Sequence, residues 1–326
     1  MSVPVAGTPP HAVSTSPGAA ARALVDAVEQ VVHGRRQVVE LAVATMLAGG
    51  HLLIEDVPGS GKTTLARALA NVLGGSFRRI QGTADLMPAD ITGSAVWEPA
   101  RGTFTFVPGP VFANVVVVDE LNRTPPRTQS ALLEAMDEGA VTVDGVRHVL
   151  PDPFVLLATQ NPYEQWGTFP LPEGQLDRFT ALVHLGQNTT SVEQLVVREQ
   201  LAGATVDELE QVMPTGNVVA MRDAVRRVHV ADAVLGYAVA LTAATRSDPA
   251  VAIGASTRAT IALVRCAQAH TLLADRPHVL PDDIKELAVA VLAHRLVMAA
   301  PDPDGQLANG AVMRAMAATP VPLSGA

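Results

Sequence analysis

A glycine-rich turn set between an apolar run and a helix constrains this chain more than any other stretch. His51-Leu52-Leu53-Ile54 leads into Val57-Pro58-Gly59-Ser60-Gly61-Lys62-Thr63-Thr64, and Leu65 to Ala70 continues with helical spacing. Strand, glycine turn and helix start are the context that a phosphate-binding loop requires. Glycines let backbone N–H groups converge on phosphate oxygens, and a helix N-terminus adds its positive dipole end. An ammonium at Lys62 can reach β/γ-phosphates, and the Thr63 hydroxyl can ligate Mg²⁺. Of the 23 basic residues only Lys62 and Lys285 are lysines, so a lysine retained here is informative. Pro58, Gly59, Ser60, Gly61, Lys62, Thr63 and Thr64 are therefore the expected triphosphate-binding residues. Where the usual pattern opens with glycine, this chain has Asp56, which tolerates unusual backbone angles less readily.

A second motif adds chemistry to binding. Val115-Val116-Val117-Val118-Asp119-Glu120 is a β-branched run ending in two carboxylates. Such a run predicts a strand buried on both faces of a parallel sheet, with the acids at its carboxyl end. Nucleotide-binding sheets place their chemistry at that edge. Asp119 is expected to hold the metal through water, and Glu120 to take a proton from the attacking water.

Composition bounds the remaining classes. Apolar residues make up 48% and aromatics 3% of 326 residues, which suits a core of helices packed on a sheet. The formal charge of −9 argues against a broad electrostatic footprint for nucleic acid or an anionic membrane. A lone cysteine, Cys266, gives no disulfide framework and points to a reducing cytosol. No metal-ligand spacing is evident among the histidines, so the one metal expected is nucleotide-bound Mg²⁺. The longest apolar stretches are broken by Glu40, Asp232 or Arg295, too soon for a membrane span.

Along the chain, residues 1–20 read as a disordered tail rich in Pro, Ser, Thr and Ala. Helical spacing covers Ala21 to Val32 and Arg35 to Leu47. Residues 21–187 alternate strands and helices and predict a three-layer α/β domain with a mostly parallel sheet. Within it, Gln81 to Phe112 reads as an insertion carrying a hairpin or short helix. Thr124 is a plausible N-cap with Pro125 at the first helical position, and Asp144-Gly145 marks a hairpin. From about Thr190 the strands cease, and 188–300 predict a separate all-α domain. Residues 301–326, rich in Pro, Gly and Ala, are expected to form a poorly determined tail.

These motifs together resemble the MoxR family of AAA+ ATPases. The likeness lies in Ile54 to Thr63, in Asp119-Glu120-Leu121-Asn122-Arg123-Thr124-Pro125-Pro126 and on to Met136, in Ala158-Thr159-Gln160-Asn161-Pro162, in Gly167 to Phe179, and in Gly254-Ala255-Ser256-Thr257-Arg258-Ala259. It spans about residues 25 to 300. The resemblance implies a P-loop NTPase (AAA+) domain followed by a helical lid, with ATP as the nucleotide. It makes Asn161 the first sensor, which orients the attacking water. Arg178 becomes an arginine finger that reaches a neighbouring subunit's nucleotide, and Arg258 a second sensor on the same subunit's phosphates. Read alone, Arg178 could equally pair with Asp177 or Glu173, and Arg258 could be an ordinary surface arginine. The chain departs from the family pattern at Asp56, at Arg35 after Gly34, where glutamine is commoner, and at Gly174.

The same resemblance implies an ATP hydrolase working as a homo-oligomeric ring, a hexamer, that remodels a protein partner. That partner is expected to be a von Willebrand factor A domain protein, met in the cytoplasm. The alternatives are a magnesium-chelatase-like motor subunit, a DNA-dependent motor, and a slow nucleotide switch.

Overall fold

The computed structural model describes residues 16–56, 60–160, 167–203, 205–302 and 304–322. Two helices come first, α1 (Pro17–Glu29) and α2 (Arg36–Leu47). Alternation follows with β1 (Leu52–Glu55), α3 (Lys62–Val72) and β2 (Phe77–Gln81). The expected insertion holds both a short helix, α4 (Pro88–Thr92), and a hairpin, β3 (Gly93–Glu98) with β4 (Thr103–Pro108). β5 (Val115–Asp119) passes through a 3₁₀ turn into α5 (Pro126–Glu138). A second hairpin, β6 (Ala140–Val143) and β7 (Val146–Val149), turns on left-handed Asp144 and Gly145. Then come β8 (Val155–Gln160), α6 (Glu173–Leu176) and β9 (Ala181–Val183).

The core sheet is wholly parallel, in the order β2-β5-β8-β1-β9. Parallel strands are stable when helices cover both faces, and the valines of β5 are buried throughout. Val115 and Val117 face one apolar layer with α1, α2 and α3, while Val116 and Val118 face the other with α5. The register sets Gln81 opposite Asp119, and Val118 opposite Ala158. The ends of β1, β5 and β8 thus open side by side on one edge.

Beyond the sheet lie α7 (Thr190–Leu201), α8 (Thr215–Arg227) and α9 (Asp232–Thr245), then a short strand β10 (Val251–Ile253). They are followed by α10 (Thr257–Leu273), α11 (Pro281–Leu292), β11 (Val297–Met298) and α12 (Gln306–Ala318). The region is not purely helical, because β10 and β11 pair antiparallel. Nor is its core separate: Leu263, Leu287 and Val312 belong to one apolar cluster with Leu24, Val43 and Leu65.

Three local expectations are corrected. The first helix starts at Pro17, because Ser16 caps it by accepting from the Ala19 N–H at 3.1 Å, so order begins before residue 21. Thr124 is not the N-cap of α5. Pro125 and Pro126 in succession hold Thr124 extended, its hydroxyl donates to the Leu121 carbonyl at 2.7 Å, and Pro126 takes the first helical position. Finally, the expected irregular C-terminal tail contains α12, whose Ala308, Ala311, Val312 and Ala315 are buried at helical spacing. Among the described residues no helix is long and apolar enough to cross a membrane.

Candidate nucleotide site

The loop after β1 enters α3 through Gly61, whose φ of +97° a side chain would strain. No side chain caps this helix. Its first amides, on Lys62, Thr63 and Thr64, therefore lack an intrahelical acceptor and suit an anion. The Ser60 hydroxyl is buried without a hydrogen-bond partner, a cost of about 1–3 kcal/mol that a phosphate oxygen would relieve. Pro58 and Gly59, expected in the same cradle, lie outside the described residues. Lys62 Nζ donates to the Asp56 carbonyl at 2.8 Å. Burial lowers the Lys62 ammonium from its ordinary value, and the charges of Asp56, Asp119 and Glu120 oppose that shift. One cation thus sits in the field of three carboxylates.

A cleft of about 340 Å³ adjoins the loop, lined in part by His33, Arg35, Ser60, Gly61, Thr64 and Asn188. Two departures from the family pattern meet at its rim. Asp56 accepts from the Gly186 N–H at 2.7 Å, while Arg35 donates to the Gly186 carbonyl at 2.8 Å and to Asn188 at 2.9 Å. Arg35 Nη1 is buried and unpartnered. Burial lowers this guanidinium, with Asp56 opposing. The aspartate that replaces the usual glycine is thereby tied to the arginine that replaces the usual glutamine.

At the end of β5, Asp119 is buried and accepts from Arg79 at 2.5 Å and from Thr159 at 3.3 Å. Glu120 has left-handed backbone angles, φ 56° and ψ 51°, uncommon for a residue with a Cβ. The turn is held by its N–H donating to Thr159 Oγ1 at 3.0 Å. Its carboxylate accepts from Gln81 Nε2 at 3.0 Å, with Arg123 Nε at 3.3 Å. Only glycine fits at position 82, since a Cβ there would meet the Glu120 carbonyl at 2.2 Å. Arg79, Gln81, Gly82 and Thr159 are functional candidates that the sequence reading did not name. Their signal is register alone: β2 is the strand beside β5, and Thr159 is the last residue but one of the strand on its other side.

Asn161, the expected first sensor, lies outside the described residues, one position past β8, the strand between β5 and β1. Gln160 just before it donates to the Glu55 carboxylate.

The two remaining arginines meet elsewhere. Arg178 Nε stands 3.2 Å from Asp137 Oδ2, buried yet without an aligned hydrogen bond. Arg258 Nη1 stands 3.8 Å from Asp137 Oδ1. Arg178 thus pairs with neither Asp177 nor Glu173. Arg258, expected on its own subunit's phosphates, joins Arg178 beside Asp137 at the far end of α5. The reason is the lid's packing, because α10 starts from Ser256, which donates to Asp177 at 3.3 Å.

Comparison with known proteins gives the family. Residues 51–181 match the model of the ATPase family associated with various cellular activities (AAA), and residues 243–315 match the AAA lid domain. The chain is 44% identical to YeaC of Bacillus subtilis, an uncharacterized protein, over 92% of this chain and 94% of that one. It is 37% identical to Chaperone MoxR1 of Mycobacterium tuberculosis, over 83% of this chain and 74% of that one. A crystal structure of a presumed ATPase from Cytophaga hutchinsonii superposes with a TM-score of 0.87 at 34% identity, covering 94% of this chain and 96% of that one.

Proposed function

Because this chain belongs to the MoxR family of AAA+ ATPases and is an ATP-hydrolysing P-loop enzyme, we propose that it works as a ring that remodels a protein partner. The observation that carries this reading is the meeting of Arg178 and Arg258 on Asp137, with the Arg178 segment tied to the amino end of β1 and the loop leaving from the opposite end. Two guanidinium groups turned from the home site are useful where a neighbour's triphosphate approaches.

Within one subunit, Ser60 to Thr64 grip the phosphates through backbone N–H groups and the Lys62 ammonium. Thr63, and Asp119 through water, would hold Mg²⁺, which would supply positive charge to offset that of the phosphates. Arg79 must yield its hold on Asp119 as that happens. Glu120, fixed by its strained turn, takes the proton of the attacking water, and Gln81 and Asn161 orient the acceptor and the water. The charge that spreads over the γ-phosphoryl oxygens is met by Arg178 of the adjacent subunit, with Arg258 beside it, a contribution on the order of 10³–10⁵ in rate. Adenine as the base, a six-membered ring, a von Willebrand factor A domain partner and a cytoplasmic setting complete the proposal, and these rest on family likeness.

Steady-state phosphate release tests it. Turnover per subunit should rise with protein concentration, and Arg178→Ala should abolish it while Mg-ATP still binds. Full turnover by Arg178→Ala, or by isolated subunits at high dilution, would refute the ring.

A further inference from the structure

We propose that Arg295, buried in the lid, is a positioning residue for Arg178: it fixes the backbone on both sides of that finger and keeps Asp177 from capturing it. This inference rests on the proposed action of Arg178 on a neighbour's nucleotide.

Arg295 belongs to a 3₁₀ turn, Ala293–Arg295, that follows α11. Its side chain is 2% exposed, an unusual setting for a guanidinium, which at such depth is normally paired. Besides a 3.4 Å contact from Nε to His294 Nε2, the partners are three acceptors on one short segment. Nη1 donates to Asp177 Oδ1 at 3.1 Å, and Nη2 to the Phe179 carbonyl at 2.6 Å and the Thr180 carbonyl at 3.4 Å. These residues flank Arg178 on either side. His294 Nε2 lies 3.0 Å from the same Phe179 carbonyl. Burial and the neighbouring Arg295 charge push the His294 imidazole down to about 3, so it is neutral there. The far side of the segment is anchored as well, because Thr180 N–H donates to the His51 carbonyl at 2.8 Å and Phe179 is fully buried.

Charge gives Arg295 its second task. Asp177 adjoins Arg178 in the chain, and an unpaired carboxylate there would compete for the finger's guanidinium. Arg295 and the Ser256 hydroxyl occupy that carboxylate instead. Among the described residues Arg178 is left with only the unaligned side-chain contact to Asp137, which a triphosphate of higher charge can displace. A planar fork with several donors is needed to hold one carboxylate and two carbonyls together, and lysine cannot replace it.

The test uses full-length Arg295→Gln and Arg295→Lys. Displacing a catalytic group by about 1 Å costs on the order of 100-fold, so kcat should fall by about 10- to 100-fold while KM for ATP changes less than about twofold. Asp177→Asn added to Arg295→Gln should restore part of kcat. Each Arg295 variant, mixed with Lys62→Ala subunits that keep a sound finger, should regain turnover, because its intact loop receives that finger. Wild-type kcat in folded Arg295→Lys would overturn the proposal. So would mixtures in which Arg178→Ala with Lys62→Ala recovers but Arg295→Lys with Lys62→Ala does not. If the Arg178→Ala mixture itself fails to recover, the ring reading falls and this inference falls with it.

Discussion

Glu120 is the residue where local strain and chemistry coincide. A carboxylate in the left-handed region persists because Thr159 holds its N–H and Gly82 leaves room for its carbonyl. Glu120→Gln keeps the shape and removes the proposed base, so hydrolysis should drop by about 10²–10⁴, with Mg-ATP affinity unchanged in an equilibrium titration. Gly82→Ala should be worse for the fold: the new methyl meets backbone at 2.2 Å, and a shift of that kind costs about 1–3 kcal/mol, readable by denaturant unfolding. Titration of buried imidazoles adds a pH signature. Burial lowers His51 from 6.5 to about 4, partly offset by its bond to the Met136 carbonyl. The neutral ring therefore favours the folded state, a contribution complete above pH 6.5 and lost as pH falls toward 4. His294 acts with the same sign, and His270, raised mainly by its bond to Asp283, with the opposite one. Unfolding free energies at pH 7, 5.5 and 4.5 should decline in that order, and His51→Gln should flatten the slope. The places of Lys62 at a helix start and of Asp119 and Glu120 at a strand end were legible in the sequence, because their immediate neighbours mark a glycine turn and a buried run. Gln81 and Arg79 were not, since only strand register carries them to the acids.

Among the elements, those with strong periodicity or turn chemistry were readable. The valines of β5, the Asp144-Gly145 hairpin and the stop of α5 at left-handed Gly139 all follow local rules. α12 was hidden because Pro and Gly on either side suggested irregularity, and its buried face is built of small residues that give a weak apolar signal. The burial is real in energetic terms. Val312 is fully buried, so Val312→Ala should cost about 2 kcal/mol in a denaturant titration, whereas an irregular tail would lose nothing. The hairpin β3–β4 shows the converse. Its Trp97 and Phe104 pack edge to face at 5.2 Å, yet Phe104 remains 70% exposed. Phe104→Ser should accordingly leave stability within about 0.5 kcal/mol.

For the molecule as a whole, the sequence divided the chain where strands stop, and the apolar interior does not respect that division. Side chains of α1, α2, α3, α10, α11 and α12 share one cluster. Contacts between segments far apart in the chain leave no mark on local composition, which is why the point where the strands cease looked like a boundary. Calorimetry of the nucleotide-free protein should give one cooperative transition, with calorimetric and van't Hoff enthalpies equal. Two separated transitions would show that the lid melts alone.

The shared aspartate at the end of α5 has a consequence for assembly. Two guanidinium groups divide one carboxylate at that edge of the subunit. An empty neighbour offers it little, and a filled one offers several phosphate oxygens. In the proposed ring, occupancy and cohesion would then be thermodynamically linked: nucleotide would act as mortar between blocks, and every hydrolysis event would loosen the joint it had sealed.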